Sequence, residues 1–231
     1  MRTKAECIRL EPHAAGAAVS MDCAAGPPTV AGSHVLLAVG RRPNTDDLGL
    51  DRAGVVMDAR GFVTVDDTLA TNVPGIWALG DCNGRGAFTH TSWNDYEIVA
   101  ANLLDGKARR VSERVPAYAL FVDPPLGRVG MTETQARATG RPLLVGTRPM
   151  TRVGRAVEKG ETLGFMKVVA DRETRKILGA SILGTGGDEA IHGLLDAMSA
   201  GIDVDTMIRA VPIHPTVSEL IPTVLGEMRA V

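Results

Sequence analysis

Aromatic residues are scarce in this 231-residue chain, at 3%, and cysteine is nearly absent. With 45% hydrophobic residues, the core must therefore be built from Ala, Val, Leu, Ile and Met. Cys7, Cys23 and Cys82 are far apart, so there is no CxxC knuckle and no local redox motif. An odd count without a secretory signal argues for reduced thiols, three small, partly buried residues. Asp81 precedes Cys82, but no nearby base would activate that thiol. No apolar run reaches the ~18 residues that a membrane helix needs, and Met1 to Glu6 lacks the apolar core of a signal peptide. A cytoplasmic location is the expectation. The formal net charge of −2 suggests neither nucleic acid nor an anionic membrane surface as a partner.

What is present reads as two unlike halves. Short alternating runs at Cys7–Leu10 and Ala17–Met21 predict strands, separated by Pro12 to Gly16. Ala24 to Gly32 reads as a Pro/Gly-rich connector. His34 to Val39 is continuously apolar, the pattern of a strand buried on both faces. Further short strands are expected near Val55–Met57, Phe62–Val65 and Ile76–Leu79, and a helix over Ser92 to Leu104, stopped by Gly106. Lys107 to Pro116 reads as a linker. Beyond it, strands are expected near Ala119–Phe121 and Arg128–Gly130. A helix follows, opened by the Thr132-Glu133-Thr134-Gln135 capping box and stopped at Gly140. Strands at Gly164–Ala170 and Ile177–Leu183 form a hairpin. A helix spans Asp188–Ala200, and a last one runs from Thr216 toward Arg229. Arg152, Arg155 and Lys159 read as a solvated loop cluster, and His192 as a packing or interface residue. The C-terminal half is thus an antiparallel α+β unit. The N-terminal half is a set of α/β-type strands with no strand–GxGxxG–helix opening of its own.

Two stretches carry chemistry. Thr71-Asn72-Val73-Pro74-Gly75-Ile76-Trp77-Ala78-Leu79-Gly80-Asp81 places a carboxylate at the end of an apolar strand, where open sheets bind ligands. Asp81 alone would equally suit a helix or turn cap. Thr89 and His90 lead into the following helix, whose N-terminus favours negative charge by ~0.3–2 kcal/mol. The second stretch is Pro212-Ile213-His214-Pro215-Thr216-Val217-Ser218-Glu219. An imidazole oriented by a carboxylate is an acid/base pair. Thr216 to Glu219 is also a capping box, so Glu219 equally suits a cap on the last helix. Gly40, after the apolar run, suits either a close ligand approach or the turn before Pro43.

These motifs resemble those of the class I pyridine nucleotide-disulfide oxidoreductases: dihydrolipoamide dehydrogenase, glutathione reductase and mercuric reductase-like enzymes. The resemblance covers only the C-terminal half of a family member. It implies that residues 1–43 end an NAD(P)-binding domain, that 44–115 are the second segment of a FAD-binding domain, and that 116–231 are the interface domain of a homodimer. It implies that Asp81, with Gly80, holds the ribityl chain of FAD. Thr89 meets the flavin ring through its main chain, and Gly40 admits the nicotinamide dinucleotide. His214 and Glu219 serve the thiol-disulfide step across the dimer. Pro212 stands where dihydrolipoamide dehydrogenases carry a further histidine, which leans toward glutathione-reductase-like or generic bacterial members. The FAD fingerprint, the CxxxxC pair and the nicotinamide GxGxxG are not in these residues. A fragment, a non-catalytic dimerisation module, or one half of a split enzyme with a separate Rossmann-bearing chain are therefore the expectations, with this chain alone inactive and its FAD half-site binding weakly at best.

Overall fold

A computed structural model describes residues 2–22 and 26–231; Cys23 and the start of the expected Ala24 connector lie outside the described residues. The chain divides into two compact units, Met1–Asn44 and Thr45–Val231.

In the first unit, β1 (Glu6–His13), β2 (Gly16–Asp22) and β3 (Thr29–Gly32) form an antiparallel sheet in the order β1-β2-β3. The first two expected strands are present but longer, and part of the supposed connector is β3. Within these strands only Ala18 is buried. The apolar run His34–Val39 is not a strand, contrary to expectation, and Leu36 and Val39 are 89% and 88% exposed. A run of this kind becomes a doubly buried strand only with ladder partners on its edges, and no described strand pairs with it.

In the second unit, residues 45–115 pack around Val55, Val63, Val65, Leu69, Ala78, Ile98 and Val99. The expected strands near Val55, Phe62 and Ile76 are reduced to the single bridges Met57↔Val63 and Ala70↔Trp77. Turn-forming side chains take the backbone groups instead. The Asp58 carboxylate accepts from the Arg60 and Phe62 N–H groups, Asp66 accepts from Thr68 and Ala70, and Asn72 accepts from Val56. α1 (Thr89–Leu104) starts three residues before the expected position. The Thr91 hydroxyl draws it out, donating to Phe88 O and accepting from the Phe88 N–H. The supposed linker is held down. Asn102 brackets the Arg109 backbone, and Asp67 accepts from Ser112 N–H and Oγ–H around a short 3-10 turn at Val111–Glu113.

Residues from 117 on form a six-stranded antiparallel sheet, β4 (Ala117–Leu120), β5 (Leu126–Gly130), β6 (Leu143–Pro149), β7 (Phe165–Asp171), β8 (Ile177–Leu183) and β9 (Arg229–Ala230), in the order β4-β5-β8-β7-β6-β9. Alternation splits β7: Met166, Val168 and Ala170 enter the main core with Val129, Ile182 and Leu194, while Val169 joins Leu143 beneath Ala136 of α2 (Glu133–Ala138). The Thr132 capping box forms as expected, with Gln135 N–H on Thr132 Oγ1 at 3.0 Å. The Asp171 carboxylate closes the β7–β8 hairpin, accepting from Glu173 and Thr174 N–H.

α3 (Gly154–Lys159) and α6 (Val204–Ile208) were not foreseen, and Arg155 and Lys159 sit on α3 rather than in a loop. The expected 188–200 helix is α4 (Gly187–Ala190) and α5 (His192–Ser199), interrupted for one residue at Ile191, which keeps right-handed dihedrals. The last helix is shorter than expected. A 3-10 turn at Ser218–Leu220 leads into α7 (Ile221–Gly226), with Pro222 in its first turn, and the chain then pairs with β6.

Two sheet glycines explain how closely the helices lie. A Cβ at Gly127 would sit 2.2 Å from Gly187 O at the start of α4, and one at Gly146 would sit 2.4 Å from Val224 O in α7. Leu194 is fully buried between α5 and the sheet. Leu194→Ala should lower unfolding free energy by about 2–5 kcal/mol in a denaturant melt. Leu104→Ala, at an 81% exposed position, should change it by less than about 0.5 kcal/mol.

Candidate functional site

Gly80 and Asp81 open a 3-10 turn, Gly80–Asn83, rather than ending a strand. Gly80 has φ +77°, and a Cβ there would lie 2.7 Å from Ser92 Oγ of α1, so both conformation and space require glycine. The turn is held by Asp95, a carboxylate 2% exposed on α1. Asp95 Oδ2 accepts from the Gly80 N–H at 2.8 Å and from Asn83 Nδ2 at 2.8 Å, and Asn83 also donates to Ala78 O at 2.9 Å. Asp95 Oδ1 pairs with Arg114, whose Nε donates to Asn94 Oδ1. Asp81 itself is half-buried.

Thr89 is the first residue of α1, a 16-residue helix. It lines a cavity of about 480 Å³ with Phe88, His90, Tyr118, Arg128 and His192. His90 Nε2 lies 2.9 Å from Ala117 O, tying the start of α1 to β4. Phe88 stacks on both His90 and Tyr118, at 5.2 and 5.9 Å, and the Arg128 guanidinium lies over the Tyr118 ring. His90 thus makes a definite tertiary contact, and His192 faces the cavity.

At the far end of the chain, His214 Nδ1 lies 2.8 Å from Glu219 Oε2. His214 is 79% exposed and Glu219 14%. The Glu219 side chain therefore meets the imidazole, while its backbone N–H donates to Thr216 Oγ1, the other half of the capping pattern. Neither residue lines the cavity before α1. Gly40 belongs to the first unit and has φ +108°, a conformation that by itself favours glycine. Among the described residues there is no cluster of three or more metal-ligating side chains, and no helix is long and apolar enough to cross a membrane.

Asp95, Asn83 and Arg114 were missed at the sequence level. The available signal was an Asp sharing one helical face with Thr91, Ile98 and Val99, all of them buried.

The Gly80–Asn83 turn thus packs against the first turn of α1, and an antiparallel sheet domain follows it in the chain. Comparison with known proteins makes this specific. The pyridine nucleotide-disulphide oxidoreductase model matches residues 12–95, and the model of that family's dimerisation domain matches residues 116–225. The chain belongs to the class I pyridine nucleotide-disulfide oxidoreductases, a FAD-dependent family.

It is 39% identical over 187 residues to the probable pyridine nucleotide-disulfide oxidoreductase RclA of Escherichia coli K12, covering 80% of this chain and 42% of that protein. It is 33% identical over 220 residues to the dihydrolipoyl dehydrogenase of Bacillus subtilis 168, covering 95% and 47%. The solved structure of the HOCl-induced flavoprotein disulfide reductase RclA from Escherichia coli aligns with TM-score 0.84 and 34% identity, over 95% of this chain and 50% of that one. The chain thus spans about half the length of the relatives it matches.

The Cys82 thiol is pushed up in pKa by burial, with the negative charges of Asp95 and Asp81 adding to the effect. Cys7 is exposed. At pH 7, iodoacetamide should therefore label the Cys7 peptide well before the Cys82 peptide by mass spectrometry. Faster labelling of Cys82 would show an activated thiol.

Proposed function

We propose that this chain is the flavin-edge and dimerisation half of an FAD-dependent oxidoreductase that passes electrons from NAD(P)H to a disulfide-type substrate. In this reading residues 1–43 complete an NAD(P) domain, 44–115 complete the FAD domain, and 116–231 form the homodimer interface. The observation that carries the redox reading is the His214–Glu219 pair: one ring nitrogen is fixed by a carboxylate, and the imidazole is presented outward.

The residues present suit FAD in donor type. Asp81 supplies an acceptor for a ribityl hydroxyl, and the first N–H groups of α1 at Thr89 supply donors and a positive helix end for the ring's carbonyl edge. Gly80 lets the backbone turn into that position, and Gly40 would admit the nicotinamide dinucleotide. The chemistry that a bound FAD supplies is two-electron transfer between NAD(P)H and a disulfide.

The protein's share is positioning and proton management. Glu219 holds His214 Nδ1, which leaves Nε2 to take the proton of a substrate thiol or return it to a leaving thiolate. Exposure of His214 fits service to a group outside its own fold, as in a two-fold dimer where each protomer completes the other's site. The alternatives are a dimerisation module without catalysis, and a split enzyme whose other chain brings both Rossmann fingerprints.

In an assembly that contains the FAD fingerprint and a cysteine pair, His214→Ala should slow disulfide reduction by about 10²–10⁴-fold. Flavin reduction by NAD(P)H, followed by stopped flow, should stay within about twofold. Equal losses in both half-reactions would refute the acid/base role.

A further inference from the structure

We propose that Asp95 is the positioning residue of the Asp81 turn: its buried carboxylate fixes the backbone that aims Asp81 at the ribityl chain of FAD. The proposal rests on the reading of Asp81 given above. Asp81 was expected at the end of a strand, where a ladder of backbone hydrogen bonds would hold it. No such ladder exists here, because Ile76–Leu79 makes only the Ala70↔Trp77 bridge. Two backbone bonds remain, Val63 N–H to Cys82 O at 2.8 Å and Gly84 N–H to Asp81 O at 3.2 Å, and side chains supply the other constraints on the turn.

Asp95 meets that need at both ends of the turn. One oxygen, Oδ2, takes the N–H of Gly80, directly before Asp81, and the amide of Asn83, two residues after it. Asn83 passes the constraint back to Ala78 O. Gly80 is left-handed and packed against Ser92 one turn before Asp95 on the same helix, so the turn has little room to shift. The second oxygen is held by Arg114, in the segment that enters the sheet domain at β4. A carboxylate this buried is retained at a desolvation cost that only full pairing offsets, and the Gly80 N–H, the Asn83 amide and the Arg114 guanidinium all donate to it. Without it, the Gly80 N–H and the Asn83 amide lose their shared acceptor, and the turn can relax.

The test uses the purified chain with two readouts, exchange of the Gly80 amide by NMR and titration with FAD itself. Asp95→Ala should speed Gly80 exchange by about tenfold or more, the scale of losing a hydrogen bond to a charged group. Exchange of β7 and β8 amides should stay within about threefold. Asp95→Asn keeps a carbonyl acceptor for Gly80 and should return its exchange to within about threefold of the parent chain. FAD should bind Asp95→Ala at least about tenfold more weakly. If Asp95→Ala does not fold, Asp95→Glu, which keeps the charge but displaces it by one methylene, is read in its place with the same expectation.

Unchanged Gly80 exchange, or an increase that spreads equally through β7 and β8, would overturn the positioning role. So would FAD binding that is the same in parent and variant. Failure of the parent chain to bind FAD would count against the Asp81 reading, and Gly80 exchange would then decide the role of Asp95 alone.

Discussion

One buried carboxylate organises the Gly80–Asn83 turn and its surroundings. Asp95 joins three elements that are separated in sequence: the Gly80–Asn83 turn, α1 and the Arg114 segment. In an apolar surrounding such a group is tolerated only when its oxygens are filled by donors, and its pairing therefore dictates where those donors lie. The small cluster around Leu69 and Ile98 supplies the apolar floor. With few ladder bonds in residues 45–115, side-chain oxygens of Asp58, Asp66, Asn72 and Asp95 do the work that a sheet does elsewhere.

The sheet domain is built on the opposite principle. Six antiparallel strands satisfy one another, and Gly127 and Gly146 let α4 and α7 settle against the backbone. The His214–Glu219 pair lies in the segment between α6 and α7, while the aromatic stack of His90, Phe88 and Tyr118 joins the start of α1 to β4. The same chain thus carries a histidine–carboxylate pair and a carboxylate turn, each held by its own local bonds. The exposed Val211 and Ile213 beside His214, and Phe121 after β4, are apolar surface of the kind an association domain covers.

Much of the second unit was legible in the sequence because local signals agree with tertiary packing there. The Thr132 capping box, the Asp171 turn and the short apolar runs of β7 and β8 each specify their element from neighbouring residues. The motifs around Asp81 and His214 were legible as motifs. Their supports were not, because Asp95 acts through a contact fifteen residues away, and a polar residue on an apolar helix face says only that it has a partner. Apolar content misled at His34–Val39 and Ile76–Leu79, where hydrophobic runs imply burial but do not supply ladder partners. β6 was missed because Gly146 and Pro149 interrupt its alternation, although the first is required by α7. α3 and α6 are too short for a periodic signal.

The central claim is that this chain holds a working share of a flavin site on a two-fold dimer. The most direct measurement is titration of the purified chain with FAD at equilibrium, followed by flavin absorption and fluorescence, with the chain's mass determined in the same buffer. The account predicts a weak but saturable flavin signal on a species of twice the chain mass. A dimer with no flavin signal would contradict the flavin half of the claim and leave an association module, and a monomer with none would contradict both.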